Sequence, residues 1–271
     1  MSDGFAAPGR KSYRDSNNQW DELIVESPLN ILINDKKLSN IRTPGDDLDL
    51  IRGFLLSEGF VPSLDNIDSL KLNLAQGSGR ENDLDQVLVK LNTRIPTNKF
   101  QEGHEIRPSC GLCGDTQMGE EIAHRYDSSS TKSGDWDLTT ILKAPEILRE
   151  QQGLFAKTGS CHAAALFSKQ GELLYFAEDV GRHNAVDKVI GQAARNKQLF
   201  ENLFIFLSGR CGFELISKAA RVGIPVVASV SGTTSMSLDL AKKAQITLIS
   251  FCRNKKARVY NDPGRLIRTS L

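Results

Sequence analysis

An α/β fold is what this 271-residue sequence predicts, and three observations carry the expectation. In the second half, apolar runs alternate with glycine-containing loops and helical segments, a rhythm of strand, loop and helix repeated. In the first half, Leu29, Ile31 and Ile33 alternate with Asn30, Leu32 and Asn34 at the period of a strand. Between these regions, Leu48, Ile51, Phe54 and Leu55 line one face of a helix.

The elements follow in chain order. Residues 1–20 are polar, rich in Ser, Asn, Arg and Asp, and read as a flexible tail with no apolar run of a signal peptide. Residues 21–126 read as an N-terminal α+β part. Its first strand turns at Asn34–Asp35 and returns over 38–42. Thr43-Pro44-Gly45-Asp46 then reads as a helix start, with Thr43 as cap, Pro44 in the first turn and Asp46 as the capping-box acid. Gly59 is the expected stop. A further strand spans 84–91, with Val87, Val89 and Leu91 on one side. Residues 127–134 (DSSSTKSG) read as a short polar linker, and 135–271 as the α/β part.

That last part holds three strand-to-helix loops. The run 173–177 leads into Glu178-Asp179-Val180-Gly181-Arg182-His183-Asn184 and a helix to about 194. The run 203–207 leads into Ser208-Gly209-Arg210-Cys211-Gly212 and a helix ending at Gly223. The run 224–230 leads into Ser231-Gly232-Thr233-Thr234-Ser235 and a helix to 244, and 246–251 closes the series. Helix starts expose free amides, small residues admit a ligand to the backbone, and Arg182 and Arg210 add guanidinium forks. The joint expectation is a phosphate-bearing, nucleotide-like ligand at the strand ends. His183 reads as a phosphate donor or an acid–base group, against a plain histidine bonded to Asp179. Arg253, Lys255 and Lys256 follow the last strand and suit either an anion or a solvated surface.

Composition excludes other classes. Net charge is +1, so nothing global argues for nucleic acid or an anionic membrane. No stretch is long and apolar enough to span a bilayer. Five cysteines is an odd count, and two form a C-x-x-C, which points to a reducing, cytoplasmic compartment rather than a stapled secreted domain.

Cys110 and Cys113 sit in the glycine-rich run Arg107-Pro108-Ser109-Cys110-Gly111-Leu112-Cys113-Gly114. Three readings stand open: half of a zinc site, although no second C-x-x-C exists; a dithiol redox pair; or a carrier of sulfur as a persulfide. Cys161, Cys211 and Cys252 read as small buried core residues. Zinc deaminases use H-x-E followed by P-C-x-x-C; here His162-Ala163-Ala164 has alanine in place of the acid.

Six motifs together carry a family resemblance: GFLLSEGF at 53–60, SCGLCG at 109–114, KTGSCHAAAL at 157–166, EDVGRHNAVDKVIG at 178–191, SGRCGFELISKAA at 208–220 and LISFCR at 248–253. From about Glu22 to Tyr260 the chain resembles the formate dehydrogenase accessory sulfurtransferase family, with Ser160 where a glycine is expected. The resemblance implies a cytidine-deaminase-like α/β domain beside a smaller N-terminal part. It implies a sulfur carrier that accepts sulfur from a cysteine desulfurase as a persulfide on Cys110, assisted by Cys113. The acceptor it implies is the molybdenum bis-guanine-dinucleotide cofactor, Mo-bis(molybdopterin guanine dinucleotide), sulfurated before insertion into formate dehydrogenase, the client. No resident metal is expected, and a homodimer is compatible with the resemblance. The family's cofactor contacts fall on Phe251, Cys252, Arg253, Asn254, Lys255 and Lys256; Arg182, His183 and Arg210 are inferred as further contacts from their places in the strand-to-helix loops. A cofactor chaperone without catalysis and a zinc-stabilised binding module are the competing functions.

Overall fold

The structure, a computed structural model, describes residues 9–75, 84–94 and 135–267. Cys110, Cys113 and the linker 127–134 lie outside the described residues. The chain forms two compact units, and each draws on separated segments of sequence. Among described residues the first takes 9–75, 84–94, 153–162 and 178–195, and the second takes 135–152, 163–177 and 196–267. The expected division was a single cut near 127–134. It differs because two later segments, 153–162 and 178–195, pack with the N-terminal residues.

The first unit opens with a hairpin of β1 (Arg10–Arg14) and β2 (Trp20–Ile24), paired antiparallel with Arg14 opposite Trp20. Residues 10–20, expected as tail, therefore carry paired strand. A four-stranded sheet follows, in the order β4-β3-β6-β5, from β3 (Ser27–Ile33), β4 (Lys36–Arg42), β5 (Ile67–Asn73) and β6 (Asp85–Leu91). Its alternating apolar residues Leu29, Ile31, Ile33, Val87 and Val89 form one core with Leu50, Ile51, Phe54 and Leu55 of α1 (Asp47–Ser57). Gly59 ends α1 as expected. Its φ of 72° is left-handed, and Phe60 N–H reaches back to Leu55 O at 2.8 Å.

The start of α1 differs from expectation. Asp46, at φ 55°, is the N-cap and makes no side-chain cap bond. Thr43 lies before the helix, because the far-off loop at 179–180 engages it: its N–H donates to Asp179 Oδ2 at 3.1 Å and its Oγ1 accepts from Val180 N–H at 3.1 Å.

Helix α1 also packs on α5 (Arg182–Arg195) of the same unit. Gly53 and Gly191 make the crossing close. A Cβ on Gly53 would lie 1.8 Å from Asp187 O, and one on Gly191 1.9 Å from Asp49 O. Ser57 Oγ donates to Asp187 Oδ1 at 2.6 Å, and Arg195 clamps Asp49 at 3.1 and 3.2 Å, tying both ends of the crossing.

The second unit is built on a six-stranded sheet in the order β12-β11-β10-β9-β7-β8. Its strands are β7 (His162–Ser168), β8 (Leu173–Asp179), β9 (Leu203–Leu207), β10 (Val226–Ser229), β11 (Thr247–Arg253) and β12 (Lys256–Asn261). β9, β10 and β11 run parallel, whereas β7 is antiparallel to β9 and β12 to β11. Burial on both faces explains why LFIFL and VVAS read as continuous apolar runs. Phe167, Phe204, Phe206, Val226, Ala228, Ile249 and Cys252 share a core with Ile141 of α2 (Leu138–Ile141) and Leu148 of α3 (Ala144–Gln151). Phe167 stacks on Phe204 at 4.9 Å, and Trp136 meets Phe204 edge-on at 6.2 Å. Helices α6 (Phe213–Val222) and α7 (Ser235–Lys243) supply the β9–β10 and β10–β11 crossovers. A short helix, α4 (Gly153–Thr158), belongs to the first unit. The βαβαβ run expected over 203–251 is present.

Candidate functional site

In the first unit, most polar residues of the 178–191 motif serve the fold. Asp179 is fully buried and ion-paired to Lys188 Nζ at 2.8 Å. Its carboxylate also accepts from Thr43 N–H, from Gly181 N–H at 2.8 Å and from Asn184 Nδ2 at 2.9 Å. Lys188 donates further to Thr43 O at 2.9 Å, and Asn184 to Ile41 O at 2.8 Å. A buried ion pair holds only when its remaining donors and acceptors are met; here they are met from three elements.

Glu178 works differently. It accepts from Leu154 N–H and Phe155 N–H, both at 2.8 Å, and so serves the start of α4. Cys161 Sγ donates to the same carboxylate at 3.3 Å. Burial first, then Glu178, push this thiol up to about 12. It is therefore a protonated, inert thiol at neutral pH. Arg182 and His183, both half-buried, begin α5 immediately after this network.

In the second unit, three loops leave the carboxyl ends of the parallel strands and lock together. Cys211 N–H donates to Gly232 O at 3.0 Å, while Thr233 Oγ1 and Ser237 Oγ both donate to Cys211 O. Phe251 N–H donates to Ser231 O at 3.2 Å. Arg210 is exposed on the first of these loops. Burial alone pushes the Cys211 thiol up to about 12, so its part is the carbonyl, not the sulfur.

The helix starts expected to cradle phosphate are largely served by the chain itself. Thr234 Oγ1 caps α7 by accepting from Ser237 N–H at 3.3 Å. Glu214 occupies the first turn of α6 and supplies a carboxylate at the positive end of its dipole. Asp179 meets Gly181 N–H ahead of α5. The stronger concentration of exposed cations is at the end of β11 and its hairpin to β12. Asn254 and Lys255, at φ 52° and 57°, form the two-residue turn, and Arg253 pairs with Lys256 across it. From 251 to 258 the sequence FCRNKKAR holds four cations and no carboxylate, and Arg253 to Lys256 and Arg258 are exposed. Cys252 is the exception within the expected contact stretch. Its side chain is in the core, and burial pushes its thiol up to about 11, so it can offer a ligand only its backbone.

The structure thus brings Arg210, the Ser231–Thr234 loop and residues 251–256 into one unit, while Arg182 and His183 belong to the other. Sequence reasoning missed Gly232 as a seat for the Phe251 ring and missed Arg258, which lies over that ring at 5.5 Å. The only available signal for Arg258 was its place in a run of basic residues. Among the described residues no group of three or more His, Cys, Asp or Glu is placed to hold a metal ion. Nor is any described helix long and apolar enough to cross a membrane.

An α/β protein that presents a basic, acid-free hairpin beside locked strand-end loops is suited to an anionic, phosphate-bearing ligand. A family model described as FdhD/NarQ matches residues 24–267, and the chain belongs to the FdhD/NarQ family. It is 37% identical over 261 residues to the sulfur carrier protein FdhD of Sulfolobus acidocaldarius, covering 95% of each chain. It is 39% identical to that of Streptomyces coelicolor, over 91% of this chain and 89% of the relative. The fold is shared with a crystal structure described as a formate dehydrogenase accessory protein from Desulfotalea psychrophila, at a TM-score of 0.69 and 23% identity, covering 95% of this chain and 97% of the other.

Proposed function

We propose that this chain is a sulfur carrier and sulfurtransferase acting in the cytoplasm for a formate dehydrogenase. Cys110 thiolate attacks the terminal sulfur of a cysteine desulfurase persulfide. The Cys110 persulfide forms, and the desulfurase leaves as its thiolate. Cys113 thiolate then attacks the inner sulfur of the persulfide, which forms the Cys110–Cys113 disulfide and releases hydrosulfide to the molybdenum bis-guanine-dinucleotide acceptor, a substrate here rather than a resident cofactor; a dithiol reductant of the cell reopens the disulfide.

The observation that carries this reading is the family membership, with relatives named as sulfur carriers matched along nearly their whole length. Two further features support it. The three described thiols are buried and held protonated, which leaves Cys110 and Cys113 for sulfur chemistry. The exposed cations Arg253, Lys255 and Lys256 match the pyrophosphates of the acceptor. Arg210 contributes from the neighbouring loop, and Arg182 and His183 are assigned as additional contacts.

We read the second unit as cytidine-deaminase-like in architecture, supported by its three parallel strands flanked by antiparallel ones and by its crossover helices. Ala164, where the deaminase acid would stand, is fully buried in β7. This unit therefore carries no deaminase proton shuttle at that position.

The test is incubation with desulfurase and cysteine, followed by mass spectrometry. The peptide containing Cys110 is expected to gain one sulfur atom, and Cys110→Ala to abolish both the adduct and activation of the dehydrogenase. Full activation with Cys110→Ala would overturn the reading. Arg210→Ala with unchanged loading but reduced activation is the expected signature of an acceptor contact.

A further inference from the structure

Phe251 stands in a conformation that a bulky side chain rarely takes. Its φ is 58°, in the left-handed region. The cause is a bulge: β11 advances from Ser250 to Arg253 while β12 steps only from Arg258 to Lys256, so β11 carries one extra residue. In an unbroken strand Ile249 and Phe251 would face the same way and Cys252 the opposite way. In fact Ile249 and Cys252 share the core, and Phe251 is only half-buried. The bulge therefore puts a small thiol into the core and turns a large aromatic ring out of it. Burying the ring would have been favourable on hydrophobic grounds alone. Local strain and a forgone apolar contact together point to a use for the ring outside the core.

Two neighbours then define where the ring lies. Gly232, in the β10–α7 loop, has no side chain to obstruct it; a Cβ there would sit 3.0 Å from the ring's Cζ. Arg258, on β12, places its guanidinium 5.5 Å from the ring centroid. Both belong to the unit that holds the basic hairpin.

We propose that Arg258 is a positioning residue, and that with Gly232 it holds the Phe251 ring as a stacking surface for the planar base of the nucleotide acceptor. The proposal rests on the reading of residues 251–256 as the acceptor contact. It adds a division of labour: Arg253, Lys255 and Lys256 answer to phosphate, while Phe251, backed by Arg258, answers to the base. Aromatic faces stack on any base, so the surface supplies affinity rather than base identity.

The test is a double-mutant cycle on the full-length protein, with GDP as the probe and isothermal titration as the readout. Arg258→Gln is expected to weaken GDP binding about two- to fivefold, the worth of an exposed cation–π contact. In a Phe251→Leu background the same change is expected to have no further effect, because its action passes through the ring. Gly232→Ala, which displaces the ring without touching Arg258, is expected to weaken GDP with a melting temperature close to wild type. Equal losses from Arg258→Gln in both backgrounds would make Arg258 a direct ligand contact and overturn the proposal. Unchanged binding by Arg258→Gln would also overturn it, while wild-type affinity for GDP left the acceptor reading standing. Failure of the wild type to bind GDP would sink both.

Discussion

Single side chains in this protein are tuned mainly by burial. Cys161 and Cys211 are pushed up to about 12 and Cys252 to about 11, from an ordinary value of 9. At pH 8 the folded chain therefore presents roughly one thiolate in a thousand or fewer at each. Brief iodoacetamide treatment of folded protein at that pH is expected to leave all three peptides unmodified by mass spectrometry. The same shifts set a pH dependence. The unfolded chain releases these protons near pH 9, but the folded chain holds them to about 11 or 12. Between those limits the unfolded state binds fewer protons, so stability falls as pH rises, by about 1.4 kcal/mol per pH unit for each thiol at steepest. Below pH 8 these groups contribute no slope. Urea midpoints at pH 8, 9 and 10 check this, with Cys211→Ser expected to show a shallower decline than wild type. Lys188→Met tests the buried pair. It leaves Asp179 charged and uncompensated, and an expected loss of about 3 kcal/mol follows. At this scale the sequence was partly legible. The buried character of the three cysteines was readable from their apolar surroundings. The fate of Thr43 was not, because the group that claims it lies 136 residues away.

At the scale of elements, what could be read was periodic and local. The α1 stripe, the 29–33 alternation, the Gly59 stop and the parallel run over 203–251 all carry their signal in neighbouring residues. What escaped notice depends on contacts across the chain. β12 (KARVYN) carries only a short alternation, Ala257 and Val259, and exists as the partner of β11. The bulge at Phe251 has no sequence mark. The α1–α5 crossing looks, in sequence, like two helical glycines that merely weaken their helices. The structure gives each a role in close approach. Gly53→Ala or Gly191→Ala is expected to cost about 3 kcal/mol, the upper end for overpacking, because the obstacle is backbone rather than a flexible side chain. Chemical denaturation measures it. Gly153→Ala, with nothing within 4 Å, is the matched control and is expected to change stability little.

For the molecule as a whole, the two units share the chain in alternation: residues 153–162 and 178–195 return to the first unit between segments of the second. Each unit thus draws on described residues from both sides of 153. A fragment of residues 135–271 would keep α5 but lose α1, leaving the face of α5 that carries Asp187 and Gly191 without its partner helix. It is expected to bind ANS and to melt without cooperativity; a sharp, reversible transition in that fragment would contradict this. The α/β class was visible from the rhythm of the second half, whereas the candidate site was legible only as a basic run that suits a solvated surface equally well. The alternation was invisible, because the claim of the first unit on residues 153–162 and 178–195 rests on contacts across the chain.

This alternation also bears on how the protein is born. Synthesis is vectorial, and α1 emerges well before its partner helix. The first unit stays unfinished until residue 195 has cleared the ribosome, and until then the glycine-notched side of α1 has no mate. The nascent chain must carry that open groove through some 130 residues of elongation. Substitutions at the notch would therefore raise chaperone demand during synthesis as well as lower the stability of the finished fold.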